Sequence, residues 1–411
     1  MRAPFVTRLP TPAPGRAAAE RFVANHLAHL TSDEVGSSSR FRGGQSAADA
    51  ALAAFDVTGY AARRNEVLPV GRRGASGLSP YIRHGMLSLP TVWRHVAGGP
   101  SRDVQKFRDE LLWQEYARHW YARLGAATQR GVRHEPPVRQ AGVDDAWDRD
   151  MRCVEVNLDE LYADGWLVNQ TRMWLASQWT VRSGAHWRAG EDEFFRHLLD
   201  GSRAANRLGW QWVTGAGSSK VYGFSRRQVE RRAPSLCAEC SLRTECPIEE
   251  WPDDPDLVSV DRDPRLRSDD DVSATAGPAA VESTSAPSVV WLTAESLGAD
   301  DPALVANPDL PVVFVFDEPL LATLQLSSKR LVFLVETLAE LAEDRAVELR
   351  LGRPEHELAD RPVAVTFSPV PGFRKRQQSV DVGALYPWLW LQRPAAGSVA
   401  SFSAWRRSVT R

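Results

Sequence analysis

Apolar positions recur every three or four residues through much of the first 250 positions. This spacing predicts amphipathic helices over 47–55, 80–95, 104–124, 153–164, 167–183 and 191–205. Ahead of them, Pro10, Pro12, Pro14 and Ser37 to Ser39 read as a loose arm with a short helix over 16–30. Beyond residue 288 the period changes. Segments 289–292, 311–316 and 347–351 read as strands, with an amphipathic helix over 329–343, an alternation that predicts a parallel α/β layer. Between the two textures, Asp253, Asp254, Asp256, Asp261, Asp263 and Asp269 to Asp271 lead into an Ala/Ser/Thr/Pro stretch. That composition predicts a disordered acidic linker. The expected organisation is an arm at 1–43, an all-helical domain at 44–251, a linker at 252–287 and a Rossmann-like α/β domain at 288–411. No G-x-G-x-x-G follows any strand, so a dinucleotide fingerprint is absent.

With 411 residues, 43% hydrophobic and 25% charged, the chain has the make-up of a soluble protein of two or three domains. No run approaches the roughly 18 apolar residues of a membrane span, and the first 14 positions lack a secretory apolar core. A reducing cytoplasm is therefore expected, with no membrane partner and a monomer favoured. Residues 1–250 hold 34 basic against 28 acidic side chains, a modest excess that permits a nucleic-acid contact without requiring one. Fifteen tryptophans stand against four methionines, and nine lie between Trp113 and Trp212. Core packing is the common reason for an indole, but electron hopping also needs indoles close together.

The four cysteines fall in a 1+3 grouping: Cys153, then Cys237, Cys240 and Cys246 followed by Pro247. C-x2-C with a later C-Pro is closer to an iron–sulfur ligand run than to a zinc ribbon. Zinc, and a thiol cluster without metal, remain alternatives.

Four segments carry further chemistry. Glu110 and Trp113 share a helix face, which suits stacking and hydrogen-bonding a planar ring; a solvent carboxylate beside a core indole is the plainer reading. Gly165 to Met173 places Trp166, Asn169, Arg172 and Met173 along one stripe. Asp200 to Trp212 adds a carboxylate, an amide and two indoles. Gly74 to Pro80, small and hydroxyl-rich, ends where a helix begins; it suits a phosphate, or is simply a cap.

Together these stretches, G-A-S-G-L-S-P-Y-I-R-H-G, R-D-E-L-L-W-Q-E-Y, D-G-W-L-V-N-Q-T-R-M and D-G-S-R-A-A-N-R-L-G-W-Q-W, resemble in order and spacing the flavin-binding domain of the photolyase/cryptochrome family. The resemblance implies a photolyase-type FAD-binding domain. Tyr60, Ser76, Leu78 and Ser79 would hold FAD phosphates and ribityl chain. Glu110, Asn169, Arg172, Asp200 and Asn206 would contact a folded FAD, with Asn206 near flavin N5. Trp210, Trp187 and Trp147 would be the inner, middle and outer members of an electron-hopping chain. Trp113 and Trp212 would pack against a flipped lesion, and Trp113 and Asn169 would serve repair. The cysteine grouping is similar to that of the family's iron–sulfur bacterial branch, implying a 4Fe-4S cluster on Cys153, Cys237, Cys240 and Cys246.

The second half resembles the family's antenna domain through Val290 to Leu304 and through Phe402 to Arg407, although that domain normally comes first. A circular permutant is implied; an unrelated α/β fusion is the alternative. The implied activity is light-driven electron transfer from FAD to damaged DNA (a deoxyribodipyrimidine photo-lyase), or blue-light sensing or redox regulation without repair. Ala75, Gln114, Val168, Arg182 and Ser202 depart from the family pattern. Val168 cannot move a proton, which disfavours (6-4) repair relative to cyclobutane dimers. Arg182 stands where an acid would pair with Arg172, so Arg172 is expected to lack its partner. Thr293-Ala294-Glu295 replaces R-R-D, leaving the antenna chromophore unknown.

Overall fold

The computed structural model describes residues 7–142, 145–252 and 256–409. Strands, in chain order, are β1 (Arg8–Leu9), β2 (His134–Glu135), β3 (Val258–Ser259), β4 (Glu282–Ser283), β5 (Val289–Leu292), β6 (Val312–Asp317), β7 (Val347–Gly352), β8 (Val363–Thr366) and β9 (Val382–Tyr386). One sheet runs β1-β7-β6-β5-β8-β9-β4, and β2 pairs with β3 apart from it. The five strands β5 to β9 are parallel, while β1 and β4 are antiparallel at the edges. This is a doubly wound Rossmann-like layer whose order reverses between β5 and β8. Its strands are apolar on both faces because both are covered. Val290, Leu292, Phe314 and Phe316 enter one core, and Val289, Trp291, Val313 and Val315 the other.

The helical half follows the apolar period, with breaks where the backbone demands them. The expected helix over 80–95 is two, Ser79–Arg83 and Leu89–His95. Gly85 at φ +75 turns the chain between them, and Ser88 caps the second by accepting from the Thr91 amide at 3.2 Å. The one over 191–205 is likewise two, Trp187–His197 and Ala205–Thr214. Between them Gly201 lies so close to the Leu198 and Phe195 carbonyls that a Cβ would sit 2.7 and 2.8 Å from them. The helix expected to reach Ser183 ends at Ser177 and continues as a π-helical turn, Gln178–Arg182.

Two segments differ from expectation. The arm is not loose: Ala19, Phe22 and Val23 form the stripe of helix Arg16–His26, which packs on helix Ser328–Asp344, while β1 extends the sheet edge. Residues 256–287 are not a disordered linker; Asp253 and Asp254 fall outside the described residues. Leu266 is buried with Trp120, Val399 and Trp405. Asp269 pairs with the buried Arg123 at 3.1 Å, and Asp271 caps helix Val272–Ala276. Acidity was a poor guide because its carboxylates have specific donors to meet.

The two halves are joined along helix Ser101–Leu124. Glu115, His119 and Arg123, four residues apart, are each buried on it. Glu115 accepts from the Leu391 and Gln392 amides at 2.6 and 2.9 Å. His119 donates through Nε2 to the Gln392 carbonyl at 2.8 Å and accepts at Nδ1 from the Trp405 indole at 2.9 Å. Arg123 donates to the Ala395 and Gly397 carbonyls at 2.8 and 2.7 Å. Asp269→Ala should leave the Arg123 guanidinium buried without its carboxylate and cost about 3 kcal/mol in urea unfolding. A loss within error of zero would contradict the pair's role.

His119 must be neutral to make both bonds. Burial, with Arg123 and Arg118 nearby, holds its pKa down to about 3. The unfolded chain, at about 6.5, then binds a proton that the native state refuses. Stability should therefore fall as pH drops from about 6.5 towards 3, by about 1.4 kcal/mol per unit from this group. His119→Gln should flatten that slope in urea melts at stepped pH.

Candidate functional site

A cavity of about 1080 Å³ opens between the helical half and the carboxyl ends of the parallel strands. Ligands of doubly wound sheets bind at this edge. Of the residues assigned to flavin, Tyr60, Ser76, Ser79, Glu110, Asn169, Arg172, Asp200 and Asn206 line it, as do Trp113, Trp210 and Trp212. Leu78 does not; its side chain is buried in the core beside Ile82 and Val92. Trp147 and Trp187 lie behind the wall, both buried.

Each wall has a local cause. Gly77 at φ +70 turns the small-residue loop, and Ser79 opens helix Ser79–Arg83 with its hydroxyl accepting from the Trp166 indole at 3.0 Å. Helix Ser101–Leu124 presents Glu110, Trp113, Ala117 and Tyr121 at helical spacing. Glu110 is held by Lys106 at 2.9 Å and Arg64 at 3.4 Å. Trp113 is half-buried and stacks on Phe402 with ring centroids 4.0 Å apart. Burial pushes the Tyr60 hydroxyl well above its ordinary pKa, so it stays a neutral donor.

Arg172 has a partner after all. Its Nη1 and Nη2 donate to the two Asp200 oxygens at 3.1 and 2.8 Å, a bidentate pair across two helical segments. Arg182, expected to mark the loss of that pairing, instead donates to the carbonyls of Phe224 at 2.7 Å, Pro247 at 3.1 Å and Glu250 at 2.5 Å. It thereby ties down the loop that follows Cys246.

Several buried polar atoms have no hydrogen-bond partner among the described residues. On the helical side these are Asn206 Nδ2 and Trp210 Nε1; on the sheet side they are Thr293 Oγ1, Ser368 Oγ and Trp388 Nε1. All five residues line the cavity. Buried donors and acceptors are normally satisfied, so the helical-side pair fits a polar planar ligand and the sheet-side group marks further polar space at the strand ends. The isoalloxazine and diphosphate of FAD suit an amide, hydroxyls and a fixed guanidinium. The sheet-side group escaped sequence reading, although position after β5 and β8, at the reversal of strand order, was the available signal.

Cys153, Cys237, Cys240 and Cys246 line a second, smaller cavity with Met151, Leu236, Leu242 and Ile248. All four are free thiols. Burial, then the three neighbouring thiols, pushes Cys153 up to about 12, and burial, with Glu230 and Cys246 next, pushes Cys237 up to about 11. Among the described residues no three His, Cys, Asp or Glu are grouped so as to hold a metal ion. No helix of the described residues is long and apolar enough to cross a membrane.

Residues 107–233 match the FAD binding domain of DNA photolyase. The deoxyribodipyrimidine photo-lyase of Synechococcus is 29% identical over 192 residues, 42% of this chain and 39% of that one. Its Thermus thermophilus counterpart is 32% identical over 186 residues, 42% and 43% of the two chains. A cryptochrome structure from Synechocystis aligns at 22% identity with a TM-score of 0.45, covering 51% of this chain and 48% of its own. The chain thus spans about two fifths of the length of these curated relatives. Residues 107–233 thus carry a photolyase-type FAD-binding domain, and a Rossmann-like sheet follows it in the chain. The similarity to these photo-lyases covers 42% of this chain.

Asp200→Ala should free the Arg172 guanidinium and lower FAD affinity about ten-fold or more. Equilibrium dialysis against FAD checks this, with Leu78→Ile as a core change that should leave affinity intact.

Proposed function

We propose that this chain is a light-dependent FAD flavoprotein acting on UV-damaged DNA, with cyclobutane dimers favoured over (6-4) lesions. The observation that carries the reading is the cavity where Asn206 Nδ2 and Trp210 Nε1 lie buried without a hydrogen-bond partner among the described residues, beside the paired Arg172 and Asp200. FAD bound there would supply the light-absorbing, one-electron chemistry. Asn206 and Asn169 would orient the ring, Arg172 and Ser76 would meet its polar chain, and Tyr60 would close one side as a neutral hydroxyl. Trp113 and Trp212 line the same cavity, and Trp212 is 44% exposed, as a platform for an extruded base requires. Val168 is fully buried beside Asn169, leaving no proton donor there for (6-4) chemistry.

The four thiols support an iron–sulfur centre. All four line one small cavity, and their C-x2-C and C-Pro spacing is nearer an iron–sulfur ligand run than a zinc ribbon. Circular permutation is supported by the sheet. All five parallel strands come from the C-terminal half, while β1 and the helix Arg16–His26 dock back on that layer. The boundaries 44–251 and 288–411 then mark the flavin and antenna-like domains. Thr293, Ser368 and Trp388 give room at the strand ends for a second chromophore of unassigned kind.

A light sensor without repair is the second reading. It is favoured by Phe402, which already stacks on Trp113, the indole a lesion would use. Purified protein should show flavin absorbance and remove cyclobutane dimers from irradiated oligonucleotides under blue light but not in the dark. Flavin colour without dimer loss would select the sensor, and colourless protein would refute both. Cys246→Ser should lower iron from about four per chain towards zero, while iron-free wild type would refute the cluster.

A further inference from the structure

Resting on the iron–sulfur reading above, we propose that Arg182 is a positioning residue of the four-thiol site, fixing the chain around Cys246 and placing one uncompensated positive charge beside it. Arg182 stands where an acid was expected to pair with Arg172. Asp200 makes that pair instead, which leaves Arg182 to another role. It is the last residue of the π-helical turn Gln178–Arg182, and such turns recur at functional sites. From there Nη1 donates to the Pro247 carbonyl at 3.1 Å, directly after Cys246. Nη2 donates to the Phe224 and Glu250 carbonyls at 2.7 and 2.5 Å. Phe224 shortly precedes helix Arg226–Arg232, which leads towards Cys237. One side chain thus clasps both ends of the segment that carries three of the four thiols. The Phe224 ring also packs on the guanidinium, its centroid 5.9 Å from Cζ.

Carbonyls hold this guanidinium but do not neutralise it. Among the described residues no carboxylate pairs with it, and its Nε is buried without a hydrogen-bond partner. Burial lowers its pKa, and the Cys246 sulfur is the group that opposes this. Arg226, which lines the thiol cavity, is the contrast: Glu230 at 2.9 Å and Glu249 at 3.0 Å compensate its charge. A partly buried cation without a counter-charge is destabilising. Thiolates gathered on a cluster supply that counter-charge. The cation in turn favours the form of the centre that holds one more electron, because local charge and hydrogen bonding set the potential of such a centre.

The test uses the full chain purified anaerobically, as wild type, Arg182→Gln, Arg182→Lys and Arg231→Gln. The last removes an exposed charge of helix Arg226–Arg232 that does not line the thiol cavity. Iron release to excess chelator is the first readout. Arg182→Gln and Arg182→Lys should each lose iron about ten-fold faster than wild type, since neither side chain has the planar five-donor fork that spans three carbonyls. Arg231→Gln should match wild type. The second readout is the midpoint of one-electron reduction by dithionite, followed with redox mediators. Arg182→Gln should disfavour the reduced form about ten-fold, a midpoint about 59 mV lower. Arg182→Lys keeps the charge and should stay near the wild-type midpoint; a merely structural role would not separate Lys from Gln. If Arg182→Gln fails to fold, Arg182→Lys decides alone, with fast release at an unshifted midpoint expected. Wild-type iron release in the Arg182 variants, equally fast release in Arg231→Gln, or midpoints that do not separate Lys from Gln would each overturn the proposal. Iron-free wild type would instead overturn the cluster reading on which it rests.

Discussion

The architecture depends on a row of buried polar side chains on helix Ser101–Leu124 whose partners are backbone groups of the distant C-terminal segment. Glu115, His119 and Arg123 satisfy the amides and carbonyls of 391–397, and the Tyr116 hydroxyl reaches the Val399 carbonyl at 2.9 Å. An extended segment cannot be buried unless its peptide groups find partners. Here three side chains, each expensive to bury alone, become affordable because each meets such a group. The same helix carries Glu110, Trp113 and Tyr121 on the cavity. Fixing the C-terminal half to it also fixes the wall on which the ligand would lie.

The opposite edge of the interface works similarly. Arg83 pairs with Glu295 at 2.9 Å just after β5, and His84 reaches the Ala294 carbonyl at 2.6 Å. The loop following the first parallel strand is thus held against the helical half next to helix Ser79–Arg83. The cavity is a consequence of this clamping: two rigid layers meet along polar contacts and leave unfilled space where Asn206 and Ser368 each keep a polar atom without a hydrogen-bond partner among the described residues. A site with unmet hydrogen-bonding capacity, walled by indoles, is prepared for a flat ligand with polar edges.

The buried indoles fall into separate cores. Trp120 and Trp405 fill the one beside helix Ser101–Leu124, and Trp174 shares another with Trp147, Trp179 and Trp210. Trp147, Trp179 and Trp210 share a face with Phe194 and lead inward from the cavity wall. Fifteen indoles in one chain could not by themselves reveal this division. In the second core, the missing side chain of Gly190 lets two rings approach.

What the sequence determined was whatever depends on local period and on residue identity at fixed spacing. The apolar stripes of the helical half, though not the breaks between its helices, the strands β5, β6 and β7 and the 1+3 thiol grouping were legible, because amphipathic period and residue order survive in one dimension. Leu78 marked the limit of motif transfer, since its side chain turns into the core. Only tertiary structure decided that Arg172 pairs with Asp200, that Arg182 holds the cysteine loop, and that Asp269 is buried rather than solvated. A charged side chain reads as a surface residue until its partner is known, and that partner may lie hundreds of positions away, as Gln392 does from Glu115. Ion pairing and burial are properties of the fold; periodicity belongs to the chain.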